Sequence, residues 1–402
     1  MCKKVLFFVT EFPTLSETFI LNQMTGAIDL GHDVTILALK RGDTIHMHAD
    51  VTLYSLLNKV VYVDLPDDKR KRVCQSIVCG IKAPIRTAKL LNRKKYGAII
   101  NSLQPVLVAQ KVPKQDFDIV IAHYGNVGLV ASILQDQDIL RGKLLTFFHG
   151  YDVTRTIQQK GATFYTFLFL SDTVLLPISD FWAERLVHLG AKKEKVHVHH
   201  MGIDTNTFQM QSLKAIQPTL QLLLVARLTE KKGISDAIHA VRFLQNHGID
   251  TVLHIVGDGE NRLILEETVQ RLELQKQVQF HGFLNQMQVK EHFNVSDIFI
   301  LPSVIAKDGD MEGIPVSLME AMAQGKPVIS TIHSGIPELV IHGKTGFLVP
   351  ERDAEALGRA IIDYLNLTDS QKAELIVNAR QKVVAEFDIN RLNNVLFQDG
   401  AW

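Results

Sequence analysis

Short runs of Val, Ile, Leu and Phe recur along this chain with a spacing that leaves little choice of architecture. They fall at residues 5–9, 34–39, 118–122, 144–148 and 173–178, restart at 221–225, and continue at 252–256, 298–301, 328–331 and 347–349. The stretches between them are long enough for helices. A parallel strand covered by helices on both faces reads as an unbroken apolar run, so this pattern predicts an α/β protein with parallel sheets. Because the pattern restarts halfway, the simplest reading is two Rossmann-like, doubly wound sheets in series. At 402 residues the chain also exceeds the size at which a single core keeps growing. The apolar rhythm lapses over residues 201–219, which Gly202, Asp204, Asn206 and Pro218 punctuate. The expected units are therefore residues 1–202 and 203–386. Residues 387–402 are too poor in apolar side chains for a core of their own and should pack on an existing unit as a terminal helix.

The formal net charge is zero, with 46% hydrophobic and 21% charged residues. That balance speaks against a disordered chain or a nucleic-acid-coating protein, so no nucleic-acid partner is expected. Cys2, Cys74 and Cys79 have neither the even count nor the paired spacing of a disulfide framework or zinc site, which fits a reducing cytoplasm. The opening apolar run stops at Thr10 and Glu11, short of a signal-peptide core, and no run reaches the roughly eighteen apolar residues of a membrane span. One segment breaks the charge balance. Between Lys69 and Lys114 there are twelve Lys or Arg and no Asp or Glu, interleaved with Val73, Ile77, Val78, Ile81, Leu90 and Leu91. This reads as basic amphipathic helices, either a solvated surface with a charge bias or a face for an anionic membrane or a lipid-linked substrate. The length of the run favours the second, and places the protein peripherally on the inner face of the membrane.

Chemistry should sit on the loops that follow the strands. After the run ending at Leu301 comes Asp310-Met311-Glu312-Gly313-Ile314-Pro315-Val316-Ser317-Leu318-Met319-Glu320, with two glutamates eight positions apart across a strand-to-helix turn. The free N–H groups of Ile314, Val316 and Ser317, with Pro315 setting the first turn, can hold an anion. Glu320, one turn further, points back towards whatever binds there. Spacing alone leaves this even with an ordinary acidic helix start. After the run at 221–225, Arg227 and Lys232 stand five positions apart. Two fixed cations are what a metal-free enzyme needs opposite a departing diphosphate, although charged loops with snorkelling side chains are common. In the first half, His149 follows Phe147-Phe148 at a strand's carboxyl edge, and His123-Tyr124 follow another strand as a weaker acceptor-side pair. A lone His there is more often structural than catalytic. The loop after the first strand has no glycine, but Ser16, Glu17 and Thr18 at a helix start offer hydroxyl and amide donors. Asp308-Gly309-Asp310 imitates a metal-binding Asp-x-Asp motif. No His or Cys stands nearby at ligand spacing, so no metal is assigned.

The Glu312…Glu320 spacing, with the wording of the segment around it and of Ser330-Thr331-Ile332-His333-Ser334-Gly335-Ile336-Pro337-Glu338, resembles family 4 of the retaining glycosyltransferases. Within it the chain is most similar to the colanic-acid and amylovoran type of exopolysaccharide enzymes. The resemblance implies the GT-B fold, two Rossmann-like domains facing a central cleft, with acceptor bound by the first and donor by the second. It implies that Glu320 holds the nucleotide ribose, that Glu312 lies beside the donor sugar, and that Arg227 and Lys232 bind the diphosphate. It also implies that backbone at Gly282, Phe283 and Leu284 frames the base, and that closure brings His149 to the sugar. The expected reaction moves a hexosyl unit, with retention, from a UDP- or GDP-linked sugar to a hydroxyl of a lipid-linked oligosaccharide, with no cofactor and no metal. Many relatives carry a Gly-Gly loop where this chain has the glycine-free stretch Thr10 to Ile20, a departure from the family's backbone approach to the diphosphate.

Two rival classes share parts of this reading. A nicotinamide-dependent oxidoreductase needs Gly-x-Gly-x-x-Gly after a strand, and Gly257-Asp258-Gly259 lacks the third glycine. A nucleotide-sugar epimerase or a phosphorylase would use the same fold.

Overall fold

The computed structural model describes residues 2–15, 17–210 and 218–398. The chain forms two units, one running to His199 and taken up again from Ile389, the other spanning His200–Asp388. In the first, β1 (Lys4–Phe12), β2 (Asp33–Arg41), β3 (Val60–Tyr62), β4 (Ile119–His123), β5 (Lys143–Phe148) and β6 (Thr173–Pro177) form a parallel sheet in the order β3-β2-β1-β4-β5-β6. In the second, β7 (Leu220–Val225), β8 (Thr251–Val256), β9 (Val278–Gly282), β10 (Ile298–Leu301), β11 (Val328–Thr331) and β12 (Phe347–Val349) repeat the plan in the order β12-β11-β10-β7-β8-β9. Each sheet reverses its winding once, between β1 and β4 and between β7 and β10. Loops leaving the carboxyl ends of those strand pairs diverge and open a crevice, where doubly wound sheets bind ligands.

The apolar runs became strands because their side chains have an apolar partner on either face. Val5, Leu6, Phe7 and Phe8 of β1 and all four residues of β10 are fully buried, each side chain contributing about 1.5–3 kcal/mol of transfer free energy. β9 matched none of the apolar runs, because Gln279, His281 and Gly282 interrupt it, and neither did β3. The three residues of β3 are half-buried at a sheet edge, too few for a recognisable run.

Two features tie the ends of the second unit together. Ile203 pairs with Asp388 in a parallel bridge, and the Arg380 guanidinium donates to the carbonyls of Thr205 at 2.8 Å, Ala323 at 2.7 Å and Phe208. Ala323 ends the helix Val316–Ala323, where a cation also meets the negative end of the helix dipole. The chain then returns to the first unit, where the helix Ile389–Phe397 packs on Thr18–Asp29. Asn393 donates to Asn22 O at 3.1 Å. Gly26 leaves the room for this contact, since a Cβ there would stand 1.9 Å from the Asn393 amide nitrogen and displace that side chain.

The basic segment forms the helices Lys69–Lys82, Pro84–Leu90 and Arg93–Tyr96. Val73, Ile77 and Ile81, one turn apart on the first, are 42, 58 and 77% exposed, and Ile85 on the second is 74% exposed. Some of the cations are satisfied internally: Arg72 donates to Pro66 O and Ser102 O, Arg86 to Ala109 O, and Lys95 pairs with Asp136 at 2.6 Å. Lys69, Arg70, Lys71, Lys82, Lys89, Arg93 and Lys94 face solvent. No helix among the described residues is long and apolar enough to cross a membrane.

Candidate active site

In the second unit, the loop after β7 turns through a short 3-10 segment, Glu230–Lys232, into the helix Ile234–Asn246. Gly233 makes that turn at a φ of 62°, and any Cβ would lie 1.8 Å from Pro302 O. Glycine thus lets the β7 loop press against the loop after β10. Across this crevice, and 80 residues away in sequence, Lys232 Nζ meets Glu312 Oε2 at 2.8 Å. Lys231, to which sequence reasoning gave no role, meets the other Glu312 oxygen at 3.2 Å and Asp310 Oδ2 at 3.1 Å. Burial of Glu312 opposes its ionisation, but Lys232 and Lys231 outweigh it and hold the carboxyl down at about 2. The Glu312 N–H donates to His333 Nε2 at 3.0 Å, and His333 Nδ1 lies 2.7 Å from Glu351 Oε1, so Nδ1 carries the proton. His333 stood in the quoted segment, but nothing local marks it as the support of Glu312.

Arg227 is exposed on the same loop and makes no ion pair among the described residues. Its loop is sewn to the one after β8 by Ala226 N to Val256 O and Leu228 N to Asp258 O, both 3.0 Å. Gly257, at a φ of 131°, permits this, since a Cβ would stand 1.9 Å from Ala226 O. At the end of β9, Gly282 turns with a φ of 70° and its carbonyl accepts from Gly257 N at 2.8 Å; Phe283 beyond it is exposed and Leu284 packs on the core. Pro315 caps the helix Val316–Ala323, whose first N–H groups, at Val316 and Ser317, lie beyond the buried Ile314. Within that helix Glu320 is half-buried, and burial alone lifts its carboxyl to about 7. The crevice thus holds one carboxylate clamped by two lysines, a free arginine, a helix N-terminus and a second carboxyl in apolar surroundings.

The first unit has a corresponding crevice. Tyr124, at the carboxyl end of β4 with a φ of 74°, donates its hydroxyl to Glu17 Oε1 at 2.7 Å across the β1–β4 junction. A bulky residue in that backbone region stores strain, and such strain clusters at functional sites. Thr18 opens the next helix, and Thr14 donates to Glu17 Oε2 at 3.1 Å; Ser16 lies outside the described residues. His123, fully buried between Phe7 and Phe147, brings Nδ1 to 3.1 Å from His149 Nε2. Burial pushes His149 down to about 3 and His123 well below its ordinary value, with His149 and His199 adding to the second shift. His149 is therefore a neutral hydrogen-bonding ring and not a standing cation. Asp152, three residues after His149, anchors it: its carboxylate accepts from the N–H groups of Gly125 at 2.9 Å, His149 at 3.0 Å and Gly150 at 3.1 Å. Burial still raises Asp152 to about 6 against those bonds. The sequence grouped Glu17 with Ser16 and Thr18 as a donor-bearing helix start but could not show its bond to Tyr124, 107 residues away, and it gave Asp152 no role although two of its three partners are its near neighbours His149 and Gly150.

Two doubly wound units, each with charged or hydrogen-bonding side chains at its switch point, define an α/β protein of the GT-B type. The comparisons give the family. Residues 16–207 match the family described as Glycosyltransferase Family 4, and residues 206–382 match Glycosyl transferases group 1. The chain is 41% identical over 401 residues to a Salmonella typhimurium chain named for colanic acid biosynthesis as the glycosyltransferase WcaL, covering 98% of each. It is 40% identical over 392 residues to the amylovoran biosynthesis glycosyltransferase AmsK of Erwinia amylovora, covering 96% of each. Among solved structures, Anabaena Alr3699/HepE in complex with UDP superposes with a TM-score of 0.71 at 18% identity, over 98% of both chains. Sucrose-phosphate synthase of Thermosynechococcus elongatus gives 0.72 at 18% identity, over 98% of this chain and 97% of that one. The chain belongs to the group 1 glycosyltransferases, and it is a nucleotide-sugar-dependent enzyme.

Proposed function

We propose that this enzyme transfers a hexosyl unit, with retention, from a UDP- or GDP-linked sugar to a hydroxyl of a lipid-linked oligosaccharide during exopolysaccharide assembly. The observation that carries the reading is the crevice between β7 and β10, where the loop after β7 brings Lys231 and Lys232, paired with Glu312 and Asp310, and the exposed Arg227, and the helix Val316–Ala323 begins after β10. A departing nucleoside diphosphate gains negative charge as the glycosidic bond breaks, and fixed cations and amides stabilise it without reorganising. Arg227 and Lys232 take the diphosphate with the amides of Ile314, Val316 and Ser317, Pro315 setting the turn. Glu320 takes the ribose hydroxyls, and Gly282, Phe283 and Leu284 frame the base. The first unit takes the acceptor, with Thr18, His123 and Tyr124 on that side, and supplies His149 as a neutral hydrogen-bonding group for the sugar. Glu312 serves as an anchor and charge balance. Held ionised at about 2 with both oxygens on lysines, it is a weak nucleophile, which favours attack on the same face as the leaving phosphate.

The same contacts support a metal-independent reaction. Asp310 is engaged by Lys231, so Asp308-Gly309-Asp310 does not present a free carboxylate pair. Near-full-length identity to two exopolysaccharide enzymes supports the pathway, and the exposed cations from Lys69 to Lys94 with the apolar stripe between them support an anionic membrane surface on the cytoplasmic side. The test is nucleoside diphosphate release across a panel of sugar nucleotides with lipid-linked acceptor, in chelator. Turnover on a UDP- or GDP-sugar that survives chelation and drops about ten- to a hundredfold in Arg227→Ala is expected, the loss of one charge-assisted bond. Turnover that needs magnesium or manganese, or an unaffected Arg227→Ala, would overturn the site. An epimerised sugar nucleotide formed without acceptor would overturn the reaction.

A further inference from the structure

Away from the crevice, three histidines converge on the other half of the second sheet. His254 lies in β8, His281 in β9 and His292 in the helix Gln286–Val295, and one ring nitrogen of each lies within 4.8 Å of the others. His254 Nδ1 is 2.9 Å from His281 Nε2, and the His281 and His292 ring centroids are 4.3 Å apart. Gln221 donates its amide nitrogen to Thr219 O at 3.0 Å, which turns its oxygen towards His254 Nε2 at 2.9 Å. His254 Nε2 therefore carries the hydrogen and Nδ1 presents its lone pair to His281. His292 Nδ1 is buried without a hydrogen-bond partner, an unfavourable state that a ligand would relieve.

We propose that His254, His281 and His292 form a site for a divalent transition-metal ion of the zinc type, with Gln221 positioning His254 from behind. Three neutral imidazoles suit zinc and its neighbours and disfavour magnesium and calcium, which want oxygen donors. All three rings favour the neutral form that coordinates: burial and the neighbouring rings push His254 down to about 4 and lower His281, and burial lowers His292. Around a tetrahedral ion with Zn–N distances of about 2.0–2.1 Å the nitrogens stand about 3.4 Å apart, so the His254–His281 pair opens slightly and the His292 ring swings inward. His281 shifts its hydrogen to Nδ1, so the neutral ring gains a coordinating lone pair without net proton release. A histidine ligand backed by an amide or carboxylate is the usual support for such a site. The sequence hides it because the three residues are separated by 27 and 11 positions on two strands and a helix. His281 directly precedes Gly282, so the ion would pin the end of β9 to the helix that follows.

This site is independent of the transfer reaction proposed above and is tested without it. The full chain, stripped by chelator and dialysed, is titrated with Co(II), read by visible absorption, and Zn(II) is then added to displace it. One equivalent of cobalt with a low-coordinate spectrum, displaced by zinc, is expected, as is a rise in Tm with zinc. His281→Ala and His292→Asn should each weaken binding at least tenfold, and Gln221→Ala about 10–100-fold, with the circular dichroism of the folded chain retained. A parent that gives no such spectrum at micromolar cobalt, or variants that keep it, would overturn the proposal; the parent result decides even if a variant does not fold.

Discussion

Glu320 is the residue at which function and stability pull apart. Its carboxyl stands near 7 in the folded chain against an ordinary 4.5, so between those values the folded state holds a proton that the unfolded state has released. Stability therefore falls as pH rises through that window, and the full cost is present above about 7. Glu320→Gln removes this cost. Its Tm should exceed the parent's at pH 8 and match it near pH 4 in calorimetry. If Glu320 takes the ribose hydroxyls as an ionised acceptor, the same variant should bind nucleoside diphosphate about ten- to a hundredfold more weakly. Parent affinity should rise from pH 6 to pH 8 while the variant stays flat, and parallel pH profiles would remove Glu320 from the ribose. Glu312 shows the opposite arrangement, a carboxylate stabilised by Lys232 and Lys231 although buried. The two glutamates look equivalent in the sequence, and their environments give them opposite protonation behaviour.

The helix Lys69–Lys82 carries the clearest element-level conflict with solubility. Burial of Ser76 and Cys79 fixes its inner face, which leaves Val73, Ile77 and Ile81 outward among Lys69, Arg70 and Lys71. A face that is both apolar and basic suits an anionic interface, where each cation adds about 1 kcal/mol. Reversing Lys69, Arg70 and Lys71 to glutamate should weaken sedimentation with anionic vesicles at low salt and lower activity on lipid-linked acceptor. Nucleotide binding by the second unit should be unchanged. Arg72 is excluded from that variant because its guanidinium holds the carbonyls of Pro66 and Ser102, and its loss would disturb the fold. Ile77→Asp together with Ile81→Asp should weaken vesicle binding without touching charge that the fold uses. Pelleting equal to the parent's in both variants would make this a solvated face.

At the scale of the whole molecule, the chain's last helix belongs to its first unit. Ile389, Leu396 and Phe397 are buried there, about 1.5–3 kcal/mol each. Ending the chain after Asp388 should speed hydrogen exchange in β1, β2 and the helix Thr18–Asp29, while β7 to β12 exchange as in the full chain. Equal acceleration in both units would mean that the helix stabilises the whole. The sequence on its own determined ten of the twelve strands, because a parallel strand buried on two faces needs a continuous apolar run, and that requirement is local. It likewise determined the candidate loops, since ligand sites in such sheets lie at strand carboxyl ends. Only the tertiary structure decided which charges meet. Lys231 and Lys232 reach Glu312, Tyr124 reaches Glu17 and His333 supports Glu312 because β7 lies beside β10 and β1 beside β4. The same holds for the three histidines, since strand order is set by the packing of helices over the whole sheet and no short stretch of sequence encodes which distant loop becomes a neighbour.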